Sequence, residues 1–448
     1  MKTNILFCLT LLMAGMSAFA EGSPPLVRVH AELDRGVLPA GQVLTTVVKL
    51  TLETAEVPRD AERPPVNLCI VLDRSGSMSG DAIVHAREAA IEAVNRLGPN
   101  DVFSLVTYDS VVETLIPAAP LRDKDEARQI IRNISPRGMT ALFGGVSQGA
   151  AEMRRHLDTP EGDYVHRMIL LSDGLANVGP SSPEELGRLG MSLAKEGISI
   201  TTVGLGSSYN EALMTRLARS SDGNTYYVRN SRDLPEIFSE ELGDVLSVAA
   251  RGVRIRIECP PHVRPVRTIG REATIRGQTV ELRMNQLYGG QERFLLLELE
   301  VPLGTPDQEI SLMEASVSYD NLFTQHRESQ ETRLVARYSG SSEEVRQHLN
   351  TAVIRDVNVN VSADARLRAV ELYDQGDRAG AATFLAAEAG RLEQASADYD
   401  LPDLERESEV LRRDVQRMGR SLTEEDRKEI QTEAVQESMQ QRYRGKLR

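Results

Sequence analysis

The run NLCIVLDRSGSMSG, residues 67–80, is almost uninterruptedly apolar up to Asp73 and then turns at once to hydroxyls, with Ser75 and Ser77 at alternate positions. RMILLSD, residues 167–173, ends in the same way on Asp173. A D-x-S-x-S loop aims its oxygens inward, and Gly76 is expected to allow the tight turn between the two serines. Oxygen donors with no His or Cys beside them suit a hard divalent cation such as Mg²⁺, Ca²⁺ or Mn²⁺. If the serines only capped the next helix and Asp173 were a turn residue, two carboxylates would face one another without a cation. That arrangement is electrostatically costly.

Such residues need elements to carry them. From 66 to about 248 apolar runs alternate with helical stretches, and strands are expected at 66–73, 101–108, 111–116, 167–172, 198–205 and 225–229. The alternation predicts an α/β fold with a doubly wound, mostly parallel, Rossmann-like sheet covered on both faces. In an open α/β sheet, ligands bind beyond the carboxyl ends of the strands, which is where Asp73 and Asp173 both fall. On either side the pattern has period 2: Val27, Val29, Ala31 and Leu33 alternate with polar residues before this block, as do Val253, Ile255, Ile257 and Cys259 after it. Neither flank has obviously enough strands for a closed sandwich. One β-sandwich split in sequence, with the α/β domain inserted, is the economical expectation.

From 343 the chain turns helical. Leu367, Val370 and Tyr373 form one stripe and Ala382, Leu385, Ala389 and Leu392 another, resembling a single tetratricopeptide-like hairpin, which alone cannot make a solenoid. Ser421 with Glu424 reads as a capping box opening a last, highly charged helix, a solvated one in preference to a partner-binding one. The expected divisions are a signal peptide at 1–20, a split sandwich at 21–64 plus 249–340, the α/β domain at 65–248 and a helical region at 343–448.

DRSGS at 73–77 resembles the metal-ion-dependent adhesion site of the von Willebrand factor type A (vWA) domain. That resemblance implies two further ligands in chain order, a Thr on a later loop and an Asp ending the fourth strand. RGMTALFGGV supplies Thr140 and LLSDGLANVG supplies Asp173. In the family these hydroxyls and carboxylates hold a divalent cation, directly or through water, and leave one position for a carboxylate from a protein partner. The order of domains also resembles bacterial secreted vWA proteins related to inter-alpha-trypsin inhibitor heavy chains and calcium-activated chloride channel regulators.

Composition bounds the remaining readings. Lys2, the apolar run from Ile5 to Met16 and Ala18-Phe19-Ala20 have the form of a cleaved secretory signal, so the chain is expected outside the cytoplasm, periplasmic or extracellular, with no membrane span in its mature part. A net charge of −14 is a poor match for nucleic acid, whose phosphates need clustered Lys and Arg. Cys69 and Cys259 lie on apolar faces of expected strands; an exported setting permits a disulfide, but both read as small buried hydrophobes. GVSQG at 145–149 satisfies G-x-S-x-G, yet Ser147 lies within an amphipathic stretch and not at a strand-to-helix turn. The expected function is therefore a non-enzymatic, metal-dependent adhesion-type module for a protein partner presenting an acidic residue. The alternative is a structural subunit of an envelope or extracellular assembly, in which the cation only stabilises the fold.

Overall fold

The computed structural model describes residues 25–57, 63–157, 164–206 and 208–443. The expected signal at 1–20 lies outside them. The first alternating segments form β1 (Val27–Leu33), β2 (Val37–Pro39) and β3 (Leu44–Thr54). The α/β block follows with β4 (Val66–Asp73), α1 (Asp81–Arg96), β5 (Val102–Tyr108), β6 (Val112–Pro120), α2 (Lys124–Arg132), α3 (Leu142–Arg154), β7 (Val165–Ser172), α4 (Pro183–Lys195), β8 (Ser199–Leu205), α5 (Glu211–Ser220), β9 (Thr225–Val228) and α6 (Leu234–Val245). Its sheet runs β6-β5-β4-β7-β8-β9, parallel throughout except for the antiparallel edge strand β6.

The solid apolar run before Asp73 is explained by double burial. Leu68, Ile70 and Leu72 of β4 point to one face, against α1, α2 and α6, while Cys69 and Val71 point to the other, against α3, α4 and α5. Each fully buried aliphatic side chain there contributes about 1.5–3 kcal/mol relative to exposure. Because β4 is flanked by β5 and β7, the chain leaves it first to one side and later to the other. The carboxyl end of β4 is thus the point where the strand order reverses, and a crevice opens there.

After α6 come β10 (Val248–Glu258), β11 (Arg264–Ile269), β12 (Thr274–Arg276), β13 (Thr279–Tyr288), β14 (Gln291–Val301), β15 (Glu309–Asn321) and β16 (His326–Ser339). One sheet runs β1-β3-β14-β11 and the other β12-β13-β10-β15-β16-β2. Strands on both sides of the α/β block therefore share sheets: β3 lies between β1 and β14, with Leu50 opposite Leu295 and Val48 opposite Leu297. The inward residues of both sheets meet in one core that includes Leu50, Leu52, Ile255, Leu297 and Val317.

The helical region is larger than a single hairpin. It contains α7 (Ser342–Gln347), α8 (Thr351–Asp374), α9 (Arg378–Tyr399), α10 (Pro402–Gly419) and α11 (Glu424–Ser438), and the chain then adds β17 (Gln441–Tyr443) to the edge of β14. Leu385, Leu392, Leu404, Leu411 and Ile430 close a common core. Two expectations are corrected here. The capping box forms two residues late, with Thr423 and Asp426 as its members, while Ser421 takes a left-handed conformation before the helix begins. Nor is α11 a solvated helix: Ile430, Ala434 and Val435 are buried, and the Lys428 ammonium is sunk against the Glu211 carboxylate of α5 at 2.8 Å. Its many charges hid a docking face, because several of them are paired across the interface and not turned to water.

A second buried charge joins the α/β domain to the sandwich. Arg167, which opens the RMILLSD run, is fully buried and donates to Gln286 Oε1 at 2.7 Å, with Glu241 3.4 Å away.

Candidate metal-binding site

Three loops meet beyond the carboxyl ends of β4, β5 and β7, and backbone bonds latch them together. Arg137 N–H donates to Arg74 O at 2.7 Å, Gly76 N–H to Gly138 O at 3.1 Å, and Asn177 N–H to Thr140 O at 3.1 Å. The Thr140 N–H in turn donates to Asn177 Oδ1 at 2.9 Å. The glycine that this latch requires is Gly138; Gly76 opens the expected tight turn, and does so without a positive φ. Gly138 has φ +72°, and a Cβ there would sit 2.8 Å from Ser110 Oγ. A Cβ on Gly76 would meet only the Gly138 carbonyl, at an ordinary 3.5 Å.

All five expected residues are brought together. Asp73, the last residue of β4, is fully buried and accepts from Ser75 N–H at 2.8 Å and from Ser172 Oγ at 2.7 Å. Ser75 Oγ lies 3.0 Å from Ser77 Oγ, and Ser77 Oγ donates to Asp173 Oδ1 at 2.7 Å. Thr140 is buried beside them. Their common focus is visible at Gly174, where a Cβ would stand 3.3 Å from Thr140 Oγ1, 3.4 Å from Ser77 Oγ and 3.9 Å from Ser75 Oγ. Neither serine caps a helix through its side chain: Ser75 precedes a single tight turn with no cap bond, and α1 begins behind Gly80. The hydroxyls are free to serve the crevice.

Electrostatics points the same way. Burial pushes the Asp73 carboxyl above the usual range against the pull of its hydrogen bonds. Asp173 is pushed up to about 6, by burial first and by the charge of Asp73 as well. The nearest guanidinium in sequence offers no relief, because Arg74 turns away to Asp109 at 2.7 Å and also pairs with Glu113. Arg137 pairs with the same two carboxylates. Sequence reading missed this four-residue network and the role of Ser172, since neither follows a recognisable spacing. The donor set of two carboxylates and three hydroxyls fits a hard cation, whose charge the carboxylates would balance.

The other candidates do not converge here. Ser147 lies inside α3, and the glycines around it let that helix approach the sheet: a Cβ on Gly145 would be 2.6 Å from the Tyr108 ring, and one on Gly149 2.6 Å from Val71. Cys69 and Cys259 are free, buried and in separate cores, and burial holds their thiols up at about 12 and about 11.

A family model, the von Willebrand factor type A domain, matches residues 67–240. Those residues are a vWA domain. The chain is also 26% identical over 337 residues to an uncharacterized protein of Synechocystis, covering 72% of this chain and 77% of that one. To inter-alpha-trypsin inhibitor heavy chain H3 of Rattus norvegicus it is 28% identical over 167 residues, 36% of this chain but only 18% of the relative. Among solved structures, a von Willebrand factor type A protein from Catenulispora acidiphila superposes with a TM-score of 0.70 at 16% identity, covering 91% of this chain and 96% of that one. The likeness in fold thus extends past the vWA domain into the sandwich and the helical region.

Proposed function

We propose that this chain is an exported, metal-dependent protein-binding module, whose vWA domain holds Mg²⁺, or Ca²⁺ or Mn²⁺, through Asp73, Ser75, Ser77, Thr140 and Asp173. The observation that carries this reading is the convergence of three hydroxyls and two raised carboxylates with no protein cation paired to either carboxylate among the described residues. A bound dication supplies a positive centre still able to take one more anionic oxygen. The partner is proposed to be a protein presenting an Asp or Glu. Val111, Met139 and Leu175 support a protein surface as partner, since all three are exposed on the loops around the crevice.

Export rests on the sequence of residues 1–20. Among the described residues no helix is long and apolar enough to cross a membrane. The reading is non-enzymatic, in keeping with the mid-helix place of Ser147. Capture from envelope extract tests it: the wild type should retain a partner in Mg²⁺ and release it to a chelator, and Asp73→Asn should retain none. Capture that survives both treatments would favour a structural subunit, a role for which the broad sandwich and the docked α11 offer surface.

A further inference from the structure

At the opposite end of the sheet from Asp73, a cleft of about 730 Å³ separates the α/β domain from the sandwich. The ends of α4 and α5 form one wall and the outer face of β10 and β13 the other. Arg254 and Arg283 are directly opposed across that sheet, both exposed. Like charges so placed repel, and sheets ordinarily avoid the pairing. The same ladder does avoid it one step along, where Arg256 opposes Glu281 and bonds to it at 3.2 Å. The third strand offers no help, since Arg254 faces Ser318 there.

The rest of the cleft adds to the imbalance. Lys195 and Arg216 line the helical wall, and among the described residues neither they nor Arg254 and Arg283 have an ion pair. Most carboxylates of the cleft are already committed: Glu196 to Arg154, Asp222 to Arg271 and Arg293, and Asp320 to Arg327. Glu272 is left against these four cations and Arg219, whose one bond is to the Gly270 carbonyl at 3.5 Å, in a chain whose net charge is −14. On the floor of the cleft His166 is held neutral, by burial first and by the nearby Arg251 charge.

We infer that this cleft binds a small organic oxyanion carrying at least two phosphate or carboxylate groups, gripped between the Arg254–Arg283 pair and the Lys195–Arg216 wall. Guanidinium forks match such groups bidentately, and the cleft volume lies within the range of small-molecule sites. The site is independent of the cation crevice and does not rest on its reading.

Inorganic pyrophosphate and citrate, as phosphate and carboxylate probes, would be titrated calorimetrically into the full-length protein, with melting followed in parallel and sodium chloride at matched ionic strength as control. At least one probe should bind the wild type and raise its melting temperature, with affinity lower by about tenfold or more in Arg283→Glu and in Arg254→Gln/Arg283→Gln. Without probe, Arg283→Glu should melt no lower than the wild type, because it recreates the Arg256–Glu281 pairing beside Arg254, so lost binding would not be lost folding. No heat from either probe at millimolar concentration, equal binding by both variants, or a melting shift reproduced by sodium chloride would overturn the inference.

Discussion

Asp73 shows how far single residues can be read before their surroundings are known. Its position at the end of a buried strand was legible because a doubly covered strand must be apolar until it reaches the crevice, and the hydroxyls after it converge there with Asp173. The glycine was not legible: DRSGS draws the eye to Gly76, while the strained backbone is at Gly138, on a loop whose latch to Ser110 depends on tertiary contact. Gly138→Ala should therefore destabilise the domain by about 1–3 kcal/mol and weaken Mg²⁺ binding, where Gly76→Ala should do little, as measured by urea unfolding with and without Mg²⁺. Thr140→Ala should lower partner capture more than it lowers cation affinity, provided that this Thr engages the cation chiefly in the partner-bound state. Equal losses in capture and in calorimetric affinity would contradict that role.

Elements with a single repeating period were the easiest to read. The expected strands of the α/β block fall within a few residues of those observed, because apolar runs bounded by turns leave little freedom. The last helix was misread because charge suggests water, and the burial of Lys428 against Glu211 depends on a partner more than 200 residues away. Lys428→Ala would leave that carboxylate buried with one oxygen unsatisfied and only Arg427, 2.5 Å from the other oxygen, to balance it, at a cost of about 1–3 kcal/mol. Lys428→Met with Glu211→Gln should recover most of it in urea unfolding. His166, at the start of β7, gives a pH signature. Burial, then Arg251 and His156, lowers its pKa to about 4, and Asn67 Nδ2 lies 3.2 Å from its Nδ1. Between about 6.5 and about 4 the unfolded chain binds the proton and the native chain does not, so stability should fall as pH falls through that window, by up to about 1.4 kcal/mol per unit. His166→Gln should flatten that part of the curve.

At the scale of the whole molecule, a sandwich divided by an inserted domain ties distant parts of the chain into one fold. Residues 248–339 expressed alone should not unfold cooperatively, because β14 would lose β3 and leave Leu295, Leu297 and Leu299 uncovered. A cooperative transition in that fragment would show that the first strands are dispensable. The fold class was legible from the return of period-2 alternation after the α/β block. The polar seam around Arg167 and Asp222 was not, since its partners come from both domains and share no spacing. A cation present at a hundredfold excess over its dissociation constant would add about 2.7 kcal/mol to the folded state. The most direct test is calorimetric titration of Mg²⁺ into metal-stripped wild type and Asp73→Asn near neutral pH, the variant keeping the shape of Asp73 without its charge. One Mg²⁺ should bind the wild type and none the folded variant; equal binding by both would place the cation elsewhere and contradict the account.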